Sequence, residues 1–130
     1  MPKTSKKPTR GKLVKKLDVV FSQYIRLSNA DNRGMCTCVT CGKKDHWKRM
    51  DAGHFMSRKH YATRWDEDNV QVQCKSCNLY NQGEQYKYSI FLGSEKAEEL
   101  LRKSRETVKF SGYDLNMMIE KYQKKLAEMD

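Results

Sequence analysis

Cys38-Val-Thr-Cys41 and Cys74-Lys-Ser-Cys77 are two cysteine pairs with two residues between the members of each pair. Pairs with this spacing are typical of turns that hold one Zn²⁺ ion through four thiolates in a tetrahedral site. The segment Asp51-Ala-Gly-His54-Phe lies between the pairs. The sequence therefore predicts a structural zinc site that frames a segment with a histidine.

A fifth cysteine, Cys36, leaves one alternative for the ligand set. If Cys36 replaced Cys38, four residues would separate it from Cys41, instead of the two that separate Cys74 from Cys77. We therefore expect Cys38 to be the ligand, and the spacing assigns no role to Cys36.

The composition limits the classes of function. The chain has 130 residues, with 26 basic and 16 acidic side chains and a formal net charge of +10. A chain of this length forms one domain, and a mean hydropathy of -0.92 argues against a membrane-spanning segment. The excess positive charge lies in residues 1–93, because residues 94–130 hold equal numbers of basic and acidic side chains. We expect a polyanionic partner and no membrane.

The first residues are strongly basic and contain no acid. We expect residues 1–11 to form a basic flexible arm that neutralises phosphates, with Lys12 next to it as a further DNA contact. A solvated, disordered tail is the alternative. The basic stretch is not followed by an apolar segment, so no signal peptide is predicted. A cytoplasmic, reducing compartment would then favour thiolate ligands over disulfides.

Residues 12–130 are expected to form a single α+β domain. Apolar periodicity predicts an amphipathic helix from Lys12 to about Ser28 in the lead-in, residues 12–34. The central part, residues 35–83, predicts a strand near 50–56, a strand at Val70 to Cys74 and a helix from near Ser76.

The C-terminal part, residues 84–130, is predicted to be helical. We expect helices at 86–92 and 95–103 separated by Gly93, and a final helix capped by Ser111 or Asp114. The final helix carries an apolar stripe, which belongs either to the monomer core or to a dimer interface. Its members are Leu115, Met118, Ile119, Tyr122 and Leu126.

Several short motifs resemble one family when they are taken in order. They are Phe21-Ser-Gln-Tyr-Ile-Arg26, Cys38-Val-Thr-Cys41-Gly42, Asp51-Ala-Gly-His-Phe-Met-Ser-Arg58, Arg64-Trp-Asp-Glu-Asp-Asn69, Gln73-Cys-Lys-Ser-Cys-Asn78 and Gly83. The chain from about Leu13 onward resembles the NinG (Rap) recombination proteins of lambdoid phages. Their core is similar to HNH nucleases with the ββα-metal fold, and the family is associated with cutting branched intermediates such as Holliday junctions. The resemblance implies a zinc-stapled ββα-metal core with helices on both sides.

The resemblance also implies roles for individual residues. His54 matches the general base of an HNH hydrolase, and a histidine is suited to proton transfer near neutral pH. Asn69 matches the asparagine that ties the following loop to the hairpin. Asn78 matches a ligand of a catalytic Mg²⁺ or Mn²⁺ ion, whose charge would assist phosphodiester hydrolysis.

One position departs from the HNH pattern. Many members carry a second metal ligand immediately before the base, where this chain has Gly53. Asp51 is the nearest carboxylate, but strand alternation would place it on the face opposite His54. A bulge at Gly53 would return Asp51 to the site as the second ligand.

The leading hypothesis is a structure-specific DNA endonuclease. Arg58, Lys59 and Arg64 are candidate phosphate contacts near the base. One alternative is a zinc-containing DNA-binding module without catalysis. Another is a module that binds recombination or replication proteins, and a homodimer would suit coordinated cutting of both strands of a junction.

Overall fold

Five helices and two small antiparallel hairpins make up residues 8–129, the part of the chain that this computed structural model describes. The elements are α1 (Arg10–Ser28), β1 (Met35–Thr37), β2 (Lys44–His46), β3 (Asp51–His54), α2 (Tyr61–Arg64), β4 (Val70–Gln73), α3 (Gln85–Leu92), α4 (Ser94–Ser104) and α5 (Gly112–Ala127). A 3₁₀ turn (Trp47–Arg49) precedes β3, and a π-helical turn (Ser76–Tyr80) follows β4. The predicted α+β class is confirmed.

The N-terminal helix is longer than the periodicity predicted. It begins at Arg10 because the Thr9 hydroxyl caps it, accepting a hydrogen bond of 3.3 Å from the Lys12 amide. The predicted arm falls largely on residues 1–7, which lie outside the described residues. Within residues 8–129, no helix combines the length and the apolar character that crossing a membrane requires.

Two elements of the central part are shorter than predicted. The strand expected over 50–56 ends at His54, because the backbone of Met56 bonds to the side chain of Asn69 instead of to a strand. The helix expected from Ser76 is one π-helical turn. It stops where residues 82–84 adopt positive φ angles of 54°, 79° and 50°.

The C-terminal helices follow the predicted boundaries closely. Gly93, with φ at 89°, separates α3 from α4, so Ser94 is the first residue of α4 and not its cap. Ser111 and Asp114 cap α5 reciprocally: the Ser111 hydroxyl accepts from the Asp114 amide at 3.0 Å, and the Asp114 carboxylate from the Ser111 amide at 2.9 Å. Both predicted cap residues therefore act together.

The main core forms where α5 packs against α1. Leu115, Ile119 and Tyr122 of α5 are buried, and the Tyr122 ring meets Phe21 edge to face with centroids 4.9 Å apart. Of the two alternatives for the apolar stripe of α5, the structure supports the monomer core. Helix α1 is the apolar partner that the stripe requires.

The hairpin of β3 and β4 is regular. Asp51 pairs with Gln73 and His54 with Val70 in a continuous register, so the bulge suggested for Gly53 is wrong. Gly53 has a different reason to be glycine, since a Cβ atom there would lie 1.8 Å from the Gln73 Oε1 atom. Helix α3 is fixed to this hairpin by Tyr88, whose hydroxyl donates to the Gly53 carbonyl at 2.7 Å.

Asp18 connects α1 to the segment between β3 and β4. Its carboxylate accepts two hydrogen bonds from the Arg64 guanidinium, at 2.6 and 3.1 Å, and one from the Trp65 indole at 3.0 Å. The Asp18 carboxylate raises the pKa of Arg64. This bidentate pair holds the loop after β3 against the N-terminal helix.

Replacing Asp18 should therefore destabilise the domain. We expect Asp18→Ala to lower the free energy of unfolding by about 2 kcal/mol, because it leaves a mostly covered guanidinium and an indole N–H without their acceptor. Asp45→Ala is the matched control, because each of the two substitutions removes one ion pair. The partner of Asp45 is Arg49, which is largely exposed, so this substitution should cost less stability. Urea unfolding of the zinc-loaded proteins measures both changes, and equal losses would contradict the role given to Asp18.

Candidate metal centre and adjacent cleft

Four cysteine sulfurs lie together at the junction of the two hairpins. The Sγ atoms of Cys38, Cys41, Cys74 and Cys77 all lie within 4.8 Å of one another, and those of Cys41 and Cys74 are 3.6 Å apart. A tetrahedral zinc site with Zn–S bonds of about 2.3 Å separates its sulfurs by about 3.8 Å. The cluster therefore fits a four-thiolate metal site, with the ligand set that the spacing predicted.

Cys36 is outside this cluster. Its side chain is buried and its thiol donates to the Arg26 carbonyl at 3.2 Å. Burial raises the pKa of Cys36, which disfavours the thiolate form that a metal binds. The structure thus separates Cys36 from the four candidate ligands.

Hydrogen-bond donors surround the sulfurs of the cluster. The Lys43 amide approaches the Cys41 sulfur at 3.5 Å, and the Cys77 amide approaches the Cys74 sulfur at 3.4 Å. Burial opposes ionisation of Cys38, yet hydrogen bonds from the Thr40 hydroxyl and from backbone amides lower its pKa to about 6. In contrast, burial and the neighbouring cysteine sulfurs raise the pKa of Cys77 to about 12, so the hydrogen bonds favour a thiolate at Cys38 and not at every sulfur.

The cluster joins the turn between β1 and β2 to the segment that follows β4. The first cysteine pair lies in the turn between β1 and β2, and the Val39 amide in that turn donates to the Val72 carbonyl of β4 at 3.0 Å. The second pair begins just after β4 and runs into the π-helical turn, where the Asn78 amide donates to the Cys74 carbonyl at 3.0 Å. The position of Asn78 is thus tied to the second cysteine pair.

A cleft of about 800 Å³ lies beside the cluster. Asp51, His54 and Asn78, which the sequence predicted as site residues, all line it. Asp51 and His54 do so although the alternation of side chains along β3 places them on opposite faces of the strand. Among the charged side chains that line the cleft, the basic ones outnumber the acidic ones. The basic side chains are Arg26, Lys48, Arg58 and Lys75, and the acidic ones are Asp18 and Asp51.

Asp51 is the centre of a small polar group in this cleft. Its Oδ1 atom lies 2.8 Å from Lys75 Nζ, and its Oδ2 atom accepts from Asn78 Nδ2 at 3.1 Å. A carboxylate and an amide oxygen are donors that Mg²⁺ or Mn²⁺ prefers. Asp51 can offer a carboxylate oxygen to such an ion, whereas the Lys75 ammonium and the Asn78 amide nitrogen contact its two oxygens in this structure.

His54 is held in one orientation. Its Nε2 atom lies 2.9 Å from the Arg64 carbonyl oxygen, which can only accept, so Nε2 carries the hydrogen and Nδ1 is the basic nitrogen. Burial is the main cause that lowers the pKa of His54, and the charge of Arg58 lowers it further. The imidazole is therefore neutral at neutral pH and able to take a proton.

Asn69 lies beneath the cleft and not in its wall. It is fully buried, its Oδ1 accepts from the Met56 amide at 2.7 Å, and its Nδ2 donates to the carbonyls of Met56 and Thr63, each at 3.0 Å. Both polar atoms of this side chain are bonded to the backbone of the loop after β3, at Met56, or of α2, at Thr63. These are the contacts of a residue that ties the loop to the hairpin.

The candidate phosphate contacts separate into three groups. Arg58 is exposed and lines the cleft, whereas Lys59 and Lys12 are exposed outside it. Arg64 is committed to Asp18 and to the Arg58 carbonyl, and only 14% of its side chain is exposed. The structure therefore brings Arg58 to the cleft and gives Arg64 a structural position.

Sequence reasoning missed three basic residues of the cleft, namely Arg26, Lys48 and Lys75. Arg26 donates to the Trp47 carbonyl at 3.2 Å and stacks on the Trp47 ring at 5.2 Å. Lys75 contacts Asp51 directly. Lys75 could have been predicted as a cleft residue, because it lies between two cysteine ligands and three residues before Asn78. Nothing in the sequence indicates that Arg26 lies in the cleft.

Loss of one cluster cysteine should remove the metal and loosen the cleft. We expect Cys74→Ser to lose bound zinc and to unfold at a lower temperature, because the second cysteine pair would no longer be held against the first. Cys36→Ser is the matched control and should retain zinc. Zinc content by mass spectrometry and thermal unfolding by circular dichroism measure the result. Zinc retained in the first variant and lost in the second would contradict the ligand set.

One family of known proteins matches almost the whole chain. The profile of the family described as Bacteriophage Lambda NinG protein matches residues 2–130. No curated protein and no solved structure gave a match. The matched span contains both cysteine pairs and the whole cleft. The chain therefore belongs to the NinG family, as its motifs indicated.

Proposed function

We propose that this NinG-family chain is a divalent-metal-dependent endonuclease that hydrolyses phosphodiester bonds in branched DNA. The observation that supports this most is the convergence of Asp51, His54 and Asn78 in one basic cleft beside the cysteine cluster. The order of β3, β4 and the π-helical turn supports a ββα-metal core of the HNH type. The free thiols suit the reducing cytoplasm of a bacterial or phage-infected cell.

The positive charge of the chain supports DNA as the substrate. A net charge of +10 and four basic side chains in the cleft attract a polyanion and would neutralise phosphates next to the bond that is cut. The preference for branched DNA follows from the recombination role that the resemblance implies. Arg58 is the cleft residue best placed to bind a neighbouring phosphate, because it is exposed.

His54 acts as the general base in this proposal. The Arg64 carbonyl fixes the ring through Nε2, and Nδ1 takes a proton from the attacking water. Asp51 and Asn78 would hold Mg²⁺ or Mn²⁺, which would neutralise charge on the phosphate and on the departing oxygen. Asn69 keeps α2, which carries the Arg64 carbonyl, in place through its bonds to Met56 and Thr63.

The cysteine site has a structural role in this proposal. Four thiolates leave no open position for water or substrate on a tetrahedral zinc ion. Zinc would instead hold the end of β4 and the π-helical turn against the first hairpin, which positions Asn78 near Asp51.

A zinc-containing DNA-binding module without catalysis is the second candidate. Gly53 lies where many HNH enzymes carry a metal ligand, and Lys75 already neutralises Asp51. A partner or a second copy of the chain would need a surface other than the α5 stripe. The exposed side chains of Tyr86, Ile90 and Phe91 on α3 offer one apolar surface.

Cleavage assays distinguish the two candidates. We expect the zinc-loaded protein to cut a labelled four-way junction with Mg²⁺ or Mn²⁺ and not with EDTA, and His54→Ala to reduce the rate by about 10²- to 10⁴-fold. His46→Ala is the control, since His46 lies on β2 outside the cleft. Denaturing gels with junction, flap and duplex substrates measure the rates, and gel shifts measure binding.

The outcome decides between catalysis and binding alone. Cleavage that needs His54 while DNA binding persists would support the endonuclease. Proteins that bind every substrate but cut none in either metal would contradict it and favour the binding module.

The lowered pKa of His54 predicts the pH dependence of cleavage. The unprotonated ring is the active form, and it predominates above its pKa, which lies below the ordinary histidine value of about 6.5. We therefore expect kcat/KM, which reports the free enzyme, to stay level as pH falls to about 6.5 and to decline only below it. Cleavage rates at subsaturating junction DNA measure this profile, and a decline centred above that value would contradict the assignment.

A further inference from the structure

We infer that Lys75 occupies the place of the catalytic cation on Asp51 and thereby couples divalent-ion binding to DNA binding. This inference rests on the proposed function, because it concerns the ion that Asp51 and Asn78 would hold. It adds a residue that neither the motif pattern nor the HNH resemblance assigns.

The contacts of Asp51 carry the first step. Lys75 Nζ lies 2.8 Å from Oδ1, and Asn78 Nδ2 lies 3.1 Å from Oδ2, so both carboxylate oxygens are engaged. A divalent ion bound to Asp51 would bring two charges to a carboxylate that already contacts an ammonium. Because two cations at such a distance repel each other, Lys75 has to leave before the ion binds well.

The difference in exposure shows which partner moves. The Asp51 side chain is 19% exposed, whereas 56% of the Lys75 side chain is exposed. Asp51 is held in β3 by its pairing with Gln73, and Lys75 reaches it with a flexible alkyl chain from the solvent side. Lys75 can therefore turn away without any change in the backbone.

The location of Lys75 keeps it near the site after it leaves Asp51. It follows Cys74 directly and lies within the second cysteine pair, so the candidate zinc site fixes its backbone. Arg26 also acts on Asp51 through its charge, but its guanidinium is bonded to Trp47. Among residues 8–129, Lys75 is the cation in ion-pair contact with Asp51.

DNA supplies the alternative partner for Lys75. A phosphate entering the basic cleft can take the ammonium, which leaves Asp51 free for the ion. DNA binding then raises the affinity for the divalent ion, and the ion raises the affinity for DNA by the same factor. The chain would thus bind its catalytic ion weakly until a substrate is present.

Mn²⁺ binding followed by electron paramagnetic resonance tests this coupling without any measurement of cleavage. The zinc-loaded protein is titrated with Mn²⁺ with and without a short DNA duplex, with DNA alone as the blank. We expect Lys75→Met to bind Mn²⁺ about tenfold more tightly than the wild type without DNA, since the competing charge is gone. DNA should then raise the affinity of this variant much less than that of the wild type.

Three further variants make the result specific. Lys75→Arg keeps the charge and should behave like the wild type. Lys48→Met removes a positive charge from the same cleft without touching Asp51, so it should change the Mn²⁺ affinity without DNA far less than Lys75→Met. Asp51→Asn should abolish the bound Mn²⁺ signal, and equal zinc content in all variants shows that they are folded.

The outcomes separate this inference from the proposed function. Equal Mn²⁺ affinities for wild type and Lys75→Met without DNA, together with loss of binding in Asp51→Asn, would overturn the role of Lys75 and leave the ion site intact. Mn²⁺ binding that survives Asp51→Asn unchanged would overturn the ion site itself. Tighter binding in Lys75→Met with a reduced DNA effect would support the coupling.

Discussion

The meeting of the two cysteine pairs is the constraint on which the rest of the cleft depends. Each hairpin has only two strands, and such ribbons are marginally stable alone. The cluster joins the turn of one hairpin to the end of the other. A chain of hydrogen bonds extends it further, from Cys38 through Thr40 and the Gln73 amide to the Gly83 carbonyl. The loop after the π-helical turn is thereby connected to the metal centre.

Helix α1 provides the other fixed support. One face of the helix packs against α5 in the main core, while Asp18, Ser22 and Arg26 contribute to the wall of the cleft. Three of the cluster cysteines, Cys38, Cys74 and Cys77, are buried in the same core as α1 and α5, so apolar packing and the cysteine cluster stabilise one continuous body beside the cleft. Asp18 of α1 holds Arg64, whose carbonyl in turn orients His54. The orientation of the basic nitrogen thus depends on the position of α1.

Sequence reasoning succeeded where the signal was local. The cysteine spacing predicted the four clustered sulfurs, and the apolar periodicity predicted α1 and α5. The residue types Ser111 and Asp114 predicted the cap of α5. It failed where a partner lies far away along the chain. Arg64 looked like a phosphate ligand because its partner Asp18 is 46 positions earlier. A bulge was predicted at Gly53 because the sequence does not show that the Gln73 side chain, on the opposite strand, needs the space beside this glycine.

The segment Cys74–Asn78 serves two centres in alternation. Cys74 and Cys77 belong to the sulfur cluster, whereas Lys75 and Asn78 line the cleft and contact Asp51. Insertion or deletion of one residue here would shift every later side chain out of the centre to which it belongs. The spacing between the sulfur cluster and the cleft is therefore set by the covalent chain itself.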